Sequence, residues 1–454
     1  MIDAQRIKHL NAQQVNPQGS YVLYWMQASQ RVVQNEALSH AIATANSLRK
    51  PLVVYFGIAE AFNEANERHY RFLLEGLKDV QEGLLEQGIS LWVYGNGVVE
   101  GLMQLAENVV ALVTDCAYGR LEQSWRREVA RRIPCAMVQV EANVIVPVET
   151  ASLKEEYSAA TLRRKIEPMI GYFAQKQDPV HLQQNSLSIQ MPFALVDLDD
   201  IPGLLASMHL QKKGGDRLLM RGGEKSAQAA LSHFIEHGLA LYAEKRNDPG
   251  ESVSSHLSGY LHFGQISPIT VYLAIKDEDC SSVPAFLEQL VVRRELACNF
   301  VHYNPLYDQY AGLPLWAKAS LESHASDPRP VLYTLSELEG AHTHDRYWNA
   351  AQQELVALGT MHNYMRMYWG KKILEWSADP EEAFQTALYL NNTYQLDGRD
   401  PNGYAGVAWC FGKHDRPWTE RTVFGNIRYM NDKGLERKFS MQRYLDRIQE
   451  AIQI

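Results

Sequence analysis

Three indoles set among good helix formers, Trp348, Trp369 and Trp376, are the side chains here whose type and spacing suit unusual chemistry. Trp369 and Trp376 lie seven residues apart. On a helix that is about two turns and roughly 10 Å of rise, so both rings leave one face. Indoles so placed serve either as a core stripe or as stepping stones for an electron. A second cluster, Ser254-Ser255-His256-Leu257-Ser258, offers hydroxyls and backbone N–H groups at a helix start. Such a turn cradles an anion such as a pyrophosphate, or it simply caps the helix. The five cysteines (Cys116, Cys135, Cys280, Cys298, Cys410) are scattered, without C-x-x-C spacing. They read as buried or free thiols in a reducing cytoplasm and argue against a disulfide framework or a zinc site.

These residues need elements to hold them. The first third alternates β-rich runs, at 21–26, 52–56, 89–94, 109–113 and 136–140, with helical stretches. The clearest helix runs from about Glu67 to Gln87, with Tyr70, Leu73, Leu74, Leu77, Val80, Leu84 and Leu85 at helical spacing and Gly88 as a stop. Continuous apolar strands alternating with helices predict a parallel, doubly wound α/β sheet. No G-x-G-x-x-G follows a strand and there is no Walker loop, which argues against a dinucleotide dehydrogenase or an NTPase. Prolines 179, 192 and 202 and the acidic Asp197-Leu198-Asp199-Asp200 mark a connector with a short helix near its end. Beyond Gly214-Gly215 the period is helical, over Ala227–Leu241, Val283–Val301, Asp345–Glu375, Pro380–Asn391 and Met441–Ile454. The expected division is an α/β domain at 1–175, a linker at 176–213 and an all-helical domain at 214–454.

At 454 residues, 46% hydrophobic and 21% charged, the chain has the composition of a globular protein with two or three full cores. Its start lacks a signal-peptide core and no apolar run reaches membrane-spanning length, so a cytoplasmic protein is expected. A formal net charge of −9 argues against nucleic acid, but net charge does not locate charge. Residues Lys413 to Arg447 hold nine Lys/Arg against five Asp/Glu, a local +4. That count suits a basic DNA-facing surface and equally a solvated helix face.

The run Trp348-Asn349-Ala350-Ala351, then Met365-Arg366-Met367-Tyr368-Trp369 through Trp376, then Leu396-Asp397-Gly398-Arg399-Asp400-Pro401, resembles the C-terminal half of class II cyclobutane pyrimidine dimer photolyases. These are light-driven DNA repair flavoproteins. The resemblance extends to Tyr24-Trp25-Met26-Gln27-Ala28-Ser29-Gln30-Arg31 and is densest from Trp348 to Phe439. It implies that Ser254, Ser255, His256, Leu257 and Ser258 hold the phosphates of FAD, with Tyr242 nearby. It implies that Arg366, Asn391 and Asp397 surround the isoalloxazine ring, Arg366 pairing with Asp397 where a fixed cation favours anionic reduced flavin. Read without the resemblance, the same residues are a buried ion pair and a helix-terminal Asn. The indoles map onto the family's electron path, with Trp369 beside the flavin, Trp348 in the middle and Trp376 at the surface.

On the substrate side the resemblance assigns Met367 and Trp409 to a slot for a dimer flipped from the duplex. Asp415, Trp418 and Arg428 fall in matching segments, with Arg428 expected to fill the gap in the DNA or hold a phosphate. Arg246 and Asn247 match a further pair. The chain departs from the family pattern at Gln289, where a Glu contacts the dimer. Glu288 and Glu295 are near in sequence, but register favours Gln289. The expected activity is light-driven repair of pyrimidine dimers in DNA by a monomeric enzyme. The alternative is a cryptochrome-like photoreceptor, against which stand the substrate-side residues and the lack of a long tail before Ile454. A second antenna chromophore would sit in the α/β domain; no motif there names it.

Overall fold

Six strands form one sheet in the order β1-β6-β5-β2-β3-β4, in a computed structural model that describes residues 2–59, 62–191, 193–215 and 220–453. Pro192 of the expected connector and Ile454 of the last expected helix lie outside the described residues. The strands are β1 (Ile7–His9), β2 (Tyr21–Trp25), β3 (Leu52–Gly57), β4 (Ser90–Tyr94), β5 (Val109–Asp115) and β6 (Ala136–Val140). All neighbours pair in parallel except β1, which runs antiparallel to β6. Every residue of β2 and β5 is buried, because helices cover both faces. Val22 and Tyr24 enter one core with the Glu36–Leu48 and Glu67–Glu86 helices. Tyr21, Leu23 and Trp25 enter the other with Val98, Leu102 and Val129, as strand alternation demands. The five expected strands are present. β1 was not foreseen: it is three residues long with two exposed positions, too short and polar to carry a period-2 signal.

From Glu224 onward the described elements are helical, apart from an isolated bridge between Arg421 and Gly425. Three of the expected helical runs differ in detail. The 345–375 run is two helices, Arg346–Leu358 and Asn363–Trp376, because Gly359 turns left-handed at φ 71° and stops the first. The 227–241 run likewise breaks at Gly238, between Glu224–His237 and Leu239–Lys245. The 283–301 run continues to Tyr303 but contains a π-helical turn over Glu288–Arg293. The shorter helices Pro268–Ile275 and Pro401–Cys410, each opened by a proline, had no periodic pattern long enough to read.

The two halves are joined by buried polar bonds. Arg31 donates to Asn143 Oδ1, to the Ala142 carbonyl and, across the junction, to the Gly264 carbonyl. Glu295 accepts from Ile145 N at 2.5 Å, and Arg294 donates to the Asn143 carbonyl. The described residues of the expected linker also pack inward, burying Leu198 and Leu205 in the sheet's core. Among the described residues no helix is long and apolar enough to cross a membrane.

Candidate functional site

An open cavity of about 1720 Å³ lies among the helices of the second half. Four groups of residues make up much of its walls. The segment before the Ser258–His262 helix contributes Ser254, Ser255, His256, Leu257 and Ser258, and Tyr242 and Arg246 stand beside it. The π-helical turn contributes Gln289 and Arg293. Arg366 and Asp397 form one polar wall. The Pro401–Cys410 helix presents Asn402, Ala405, Gly406 and Trp409, the i, i+3, i+4, i+7 face of a helix.

The polar wall is incomplete within the protein. Arg366 Nη2 stands 3.7 Å from Asp397 Oδ1, an ion pair too long for a hydrogen bond. Arg366 Nε and Asp397 Oδ1 are both buried and without a hydrogen-bond partner. A donor and an acceptor left unmet at one cavity wall call for a ligand that offers both. Beside them a Cβ added at Gly406 would meet nothing within 4 Å, so the helix leaves room there. A flat heteroaromatic ring fits that space, and a flavin has both kinds of edge. Asn391 is buried one layer behind, its amide donating to Asn392 Oδ1 at 3.3 Å under Gly403, and it does not line the cavity. His256 is held left-handed at φ 53°, and burial, with the Arg447 charge, lowers its pKa. His362, also at the wall, is pushed down to about 4, first by burial. Both imidazoles are therefore neutral at neutral pH.

The indoles form a path. Trp348 and Trp369 stack with centroids 6.4 Å apart and planes 6° from parallel. Trp348 meets Trp376 edge-on at 5.6 Å. The order in space is Trp369, Trp348, Trp376, and Trp369 lies about one turn beyond Arg366 on the same helix. Trp369 Nε1 donates to Gln352 Oε1 and Trp348 Nε1 to the Trp369 carbonyl, which fixes the first two rings. The expectation that Trp376 reaches the surface needs correction. It is 1% exposed, because Tyr333, His344 and Lys372 cover it.

On the expected substrate side, Trp409 and Gln289 line the cavity, while Met367 is half-buried against the helical core and outside the cavity lining. Asp415, Trp418 and Arg428 form a connected rim. Trp418 Nε1 donates to the Asp415 carboxylate, and the Arg428 guanidinium stands 5.0 Å from the Trp418 ring and 5.6 Å from the Trp409 ring. Arg246 lies 5.9 Å from the Tyr242 ring, and the neighbouring Asn247 is half-buried and outside the cavity lining. Glu288 is engaged elsewhere, with Arg163 at 2.7 Å and Arg293 at 3.0 Å. Sequence reasoning missed Ala405, Gly406 and Lys371. The small residues could have been found, since they share a helix face with Asn402 and Trp409. Nothing in the sequence placed Lys371 under Trp409.

A second cavity, of about 810 Å³, sits at the carboxyl ends of β2 and β3. Trp25, Phe56, Trp125 and Phe263 make it aromatic. Gln27 Nε2 and Gln30 Oε1, from two lining residues, are buried without partners. β2 lies between β5 and β3, which is the reversal of strand order where open α/β sheets bind ligands.

Residues 22–179 match the DNA photolyase family. The chain is 50% identical, over 99% of both chains, to the deoxyribodipyrimidine photo-lyase of Methanothermobacter thermautotrophicus. Its fold is similar to a bacterial class III photolyase from Agrobacterium tumefaciens, with a TM-score of 0.73 at 17% identity over 96% of this chain and 87% of that one. It is also similar, with a TM-score of 0.71 at 15% identity over 94% and 89% of the two chains, to a Sulfolobus tokodaii photolyase solved with two FAD molecules.

Proposed function

The chain belongs to the DNA photolyase family, and from that premise we propose that it is a class II enzyme that repairs cyclobutane pyrimidine dimers in DNA. The observation that carries this reading is one cavity that takes in the Ser-rich turn, the incomplete Arg366–Asp397 wall and Trp409. When bound there, FAD supplies light absorption and the transfer of one electron to the dimer and back. The protein's own work is binding, orientation and electrostatics. Ser254 to Ser258 hold the phosphates and Tyr242 closes that end. Arg366 places a fixed cation at the ring and Asp397 accepts from it. Asn391, which can donate or accept, supports the ring from behind. Trp376, Trp348 and Trp369 pass electrons inward to keep the flavin reduced. Trp409 and Met367 form the apolar slot for the flipped dimer, Gln289 bonds its edge, and Arg428, Trp418 and Asp415 hold the opened strand, with Arg246 and Asn247 beside it.

The direct test mixes purified protein with an oligonucleotide carrying one thymine dimer and illuminates it with blue light. Loss of the dimer only in the light, with FAD released on denaturation, is the expected result. A flavoprotein that photoreduces but leaves the dimer intact would be the cryptochrome-like photoreceptor instead. The second cavity is proposed to hold an antenna chromophore, supported by its aromatic walls and the unmet Gln27 and Gln30 amides. Absorption of the purified protein should then show a band beyond that of FAD, and Gln27→Leu/Gln30→Leu should lose that band while keeping FAD.

A further inference from the structure

Trp409 lines the cavity proposed for the flavin; Trp369 is buried one turn beyond the wall residue Arg366, outside the lining, yet only Trp369 begins a path. Trp369 has Trp348 stacked on it. Trp409 lines the cavity, and among the described residues no aromatic ring pairs with it. An electron taken from Trp409 would leave a hole with no neighbouring ring to draw it away from the flavin, and it would return unused. The charges around the two rings differ in a way that answers this. Lys371 is fully buried, donates to the Cys410 carbonyl at 2.5 Å and stands 5.1 Å from the Trp409 centroid. Arg428 stands 5.6 Å from the same ring. Neither cation enters an ion pair among the described residues, and Asp415 acts on Lys371 only from beyond ion-pair distance. Burial lowers the Lys371 ammonium to about 8, so it is charged at neutral pH. Among the described residues no Lys or Arg lies over Trp369 or Trp348. Trp376 has Lys372 at 5.5 Å, but Glu375 neutralises it at 2.6 Å.

We infer that Lys371, together with Arg428, withholds the electron of Trp409, so that flavin photoreduction draws on Trp369 and the lesion-side indole remains a passive wall. The inference rests on the flavin cavity proposed above. A ring that gives up an electron becomes a cation, and a fixed positive charge against its face opposes that, most strongly where water is excluded. One electron would leave an indole for the light-excited oxidised flavin. From Trp369 the hole passes to Trp348 and Trp376, where a soluble thiol fills it across the covering Tyr333 and His344; no ring is stacked on Trp409 to carry a hole away from the flavin. Lys371 is thus a tuning residue that acts through Trp409.

The test uses FAD-loaded protein and reads the flavin excited-state lifetime and the transient absorption of indole radicals. Trp369→Phe alone should give a long lifetime and no indole radical. Adding Lys371→Met, close in volume and neutral, should shorten the lifetime by about tenfold and bring the radical signal. Adding Trp409→Phe to that double variant should restore the long lifetime. Equal lifetimes in Trp369→Phe and Trp369→Phe/Lys371→Met, with FAD bound in both, overturn the inference. If Lys371→Met takes up no FAD, Arg428→Gln in the Trp369→Phe background replaces it, with shortening expected and an unchanged lifetime overturning. Failure of the underlying reading looks different: the parent would bind no FAD, or Trp369→Phe would photoreduce undiminished, and either result removes this inference with it.

Discussion

Gln289 stands where the family pattern has a Glu, and two neighbouring carboxylates could have taken over its role. Glu288 is held by Arg163 and Arg293, and Glu295 is turned inward to the Ile145 and Val146 amides. Only Gln289 of the three lines the cavity. Its amide N–H can donate to a pyrimidine carbonyl with no proton uptake. Gln289→Leu should therefore lose about 1–3 kcal/mol of dimer binding, the usual cost of stranding a buried polar partner. Gln289→Glu should stay active but show a pH dependence of repair per absorbed photon that the parent lacks. Dimer repair measured across pH for the three proteins checks both; a Leu variant that binds and repairs like the parent would remove Gln289 from the site. Trp369→Phe should keep FAD and lose photoreduction, while chemically pre-reduced protein still repairs. Trp409→Ala should weaken dimer-DNA binding roughly tenfold, since base stacking is worth about 1–3 kcal/mol, with flavin content unchanged. Equal weakening on undamaged duplex would mean general backbone contact instead.

At the scale of elements, the Pro401–Cys410 helix decides the shape of the site. Its cavity face alternates polar, small, small and aromatic residues, Asn402, Ala405, Gly406 and Trp409. Its flank packs tightly: a Cβ at Gly370, on the Trp-bearing helix, would come within 2.6 Å of Cys410 Sγ. Gly406 faces open space instead, so Gly406→Leu should fold normally and fail to take up FAD. Circular dichroism together with flavin absorbance tests that, and full flavin occupancy would show the cavity is not the flavin site. Gly359 governs the neighbouring break. Its positive φ lets the chain leave the Arg346–Leu358 helix and start the Asn363–Trp376 helix, which brings Trp348 against Trp369. Gly359→Ala should cost about 1–2 kcal/mol of stability, the penalty of a left-handed residue that carries a Cβ, measured as a lower denaturant midpoint.

For the molecule as a whole, the junction between the α/β and helical halves rests on buried charged groups, and pH reaches it. Burial raises the Glu295 carboxyl to about 7, against an ordinary value of 4.5, although the Ile145 and Val146 amides and Arg294 oppose the shift. A carboxyl that is easier to protonate when folded favours folding below pH 4.5, and that advantage is lost as pH rises through 7. The integrated loss is about 3 kcal/mol at most. Glu295→Gln carries no titrating proton there. Its stability relative to the parent should therefore rise between pH 4.5 and 7, read from denaturant unfolding at several pH values. A constant difference across that range would show that the carboxyl is not shifted.

What the sequence determined by itself was local. Apolar runs of five or six residues made the parallel strands legible, because a strand buried on both faces shows its burial as continuity. Trp348, Trp369, Trp376, Arg366 and Asp397 were legible through the motif they share with a known family. Tertiary structure decided the rest. Whether three indoles lie in line depends on how two helices cross, and Gly359 shows that they are two helices and not one. Trp376 was expected at the surface; it is covered by Tyr333 and His344, the first 43 residues earlier in the chain, and such a contact leaves no periodic trace. Lys371 reads from sequence as an ordinary helix lysine, and only the packing of Pro401–Cys410 against it puts a buried charge beneath Trp409. Electrostatics depends on distance and dryness through space, and neither is written in the order of residues.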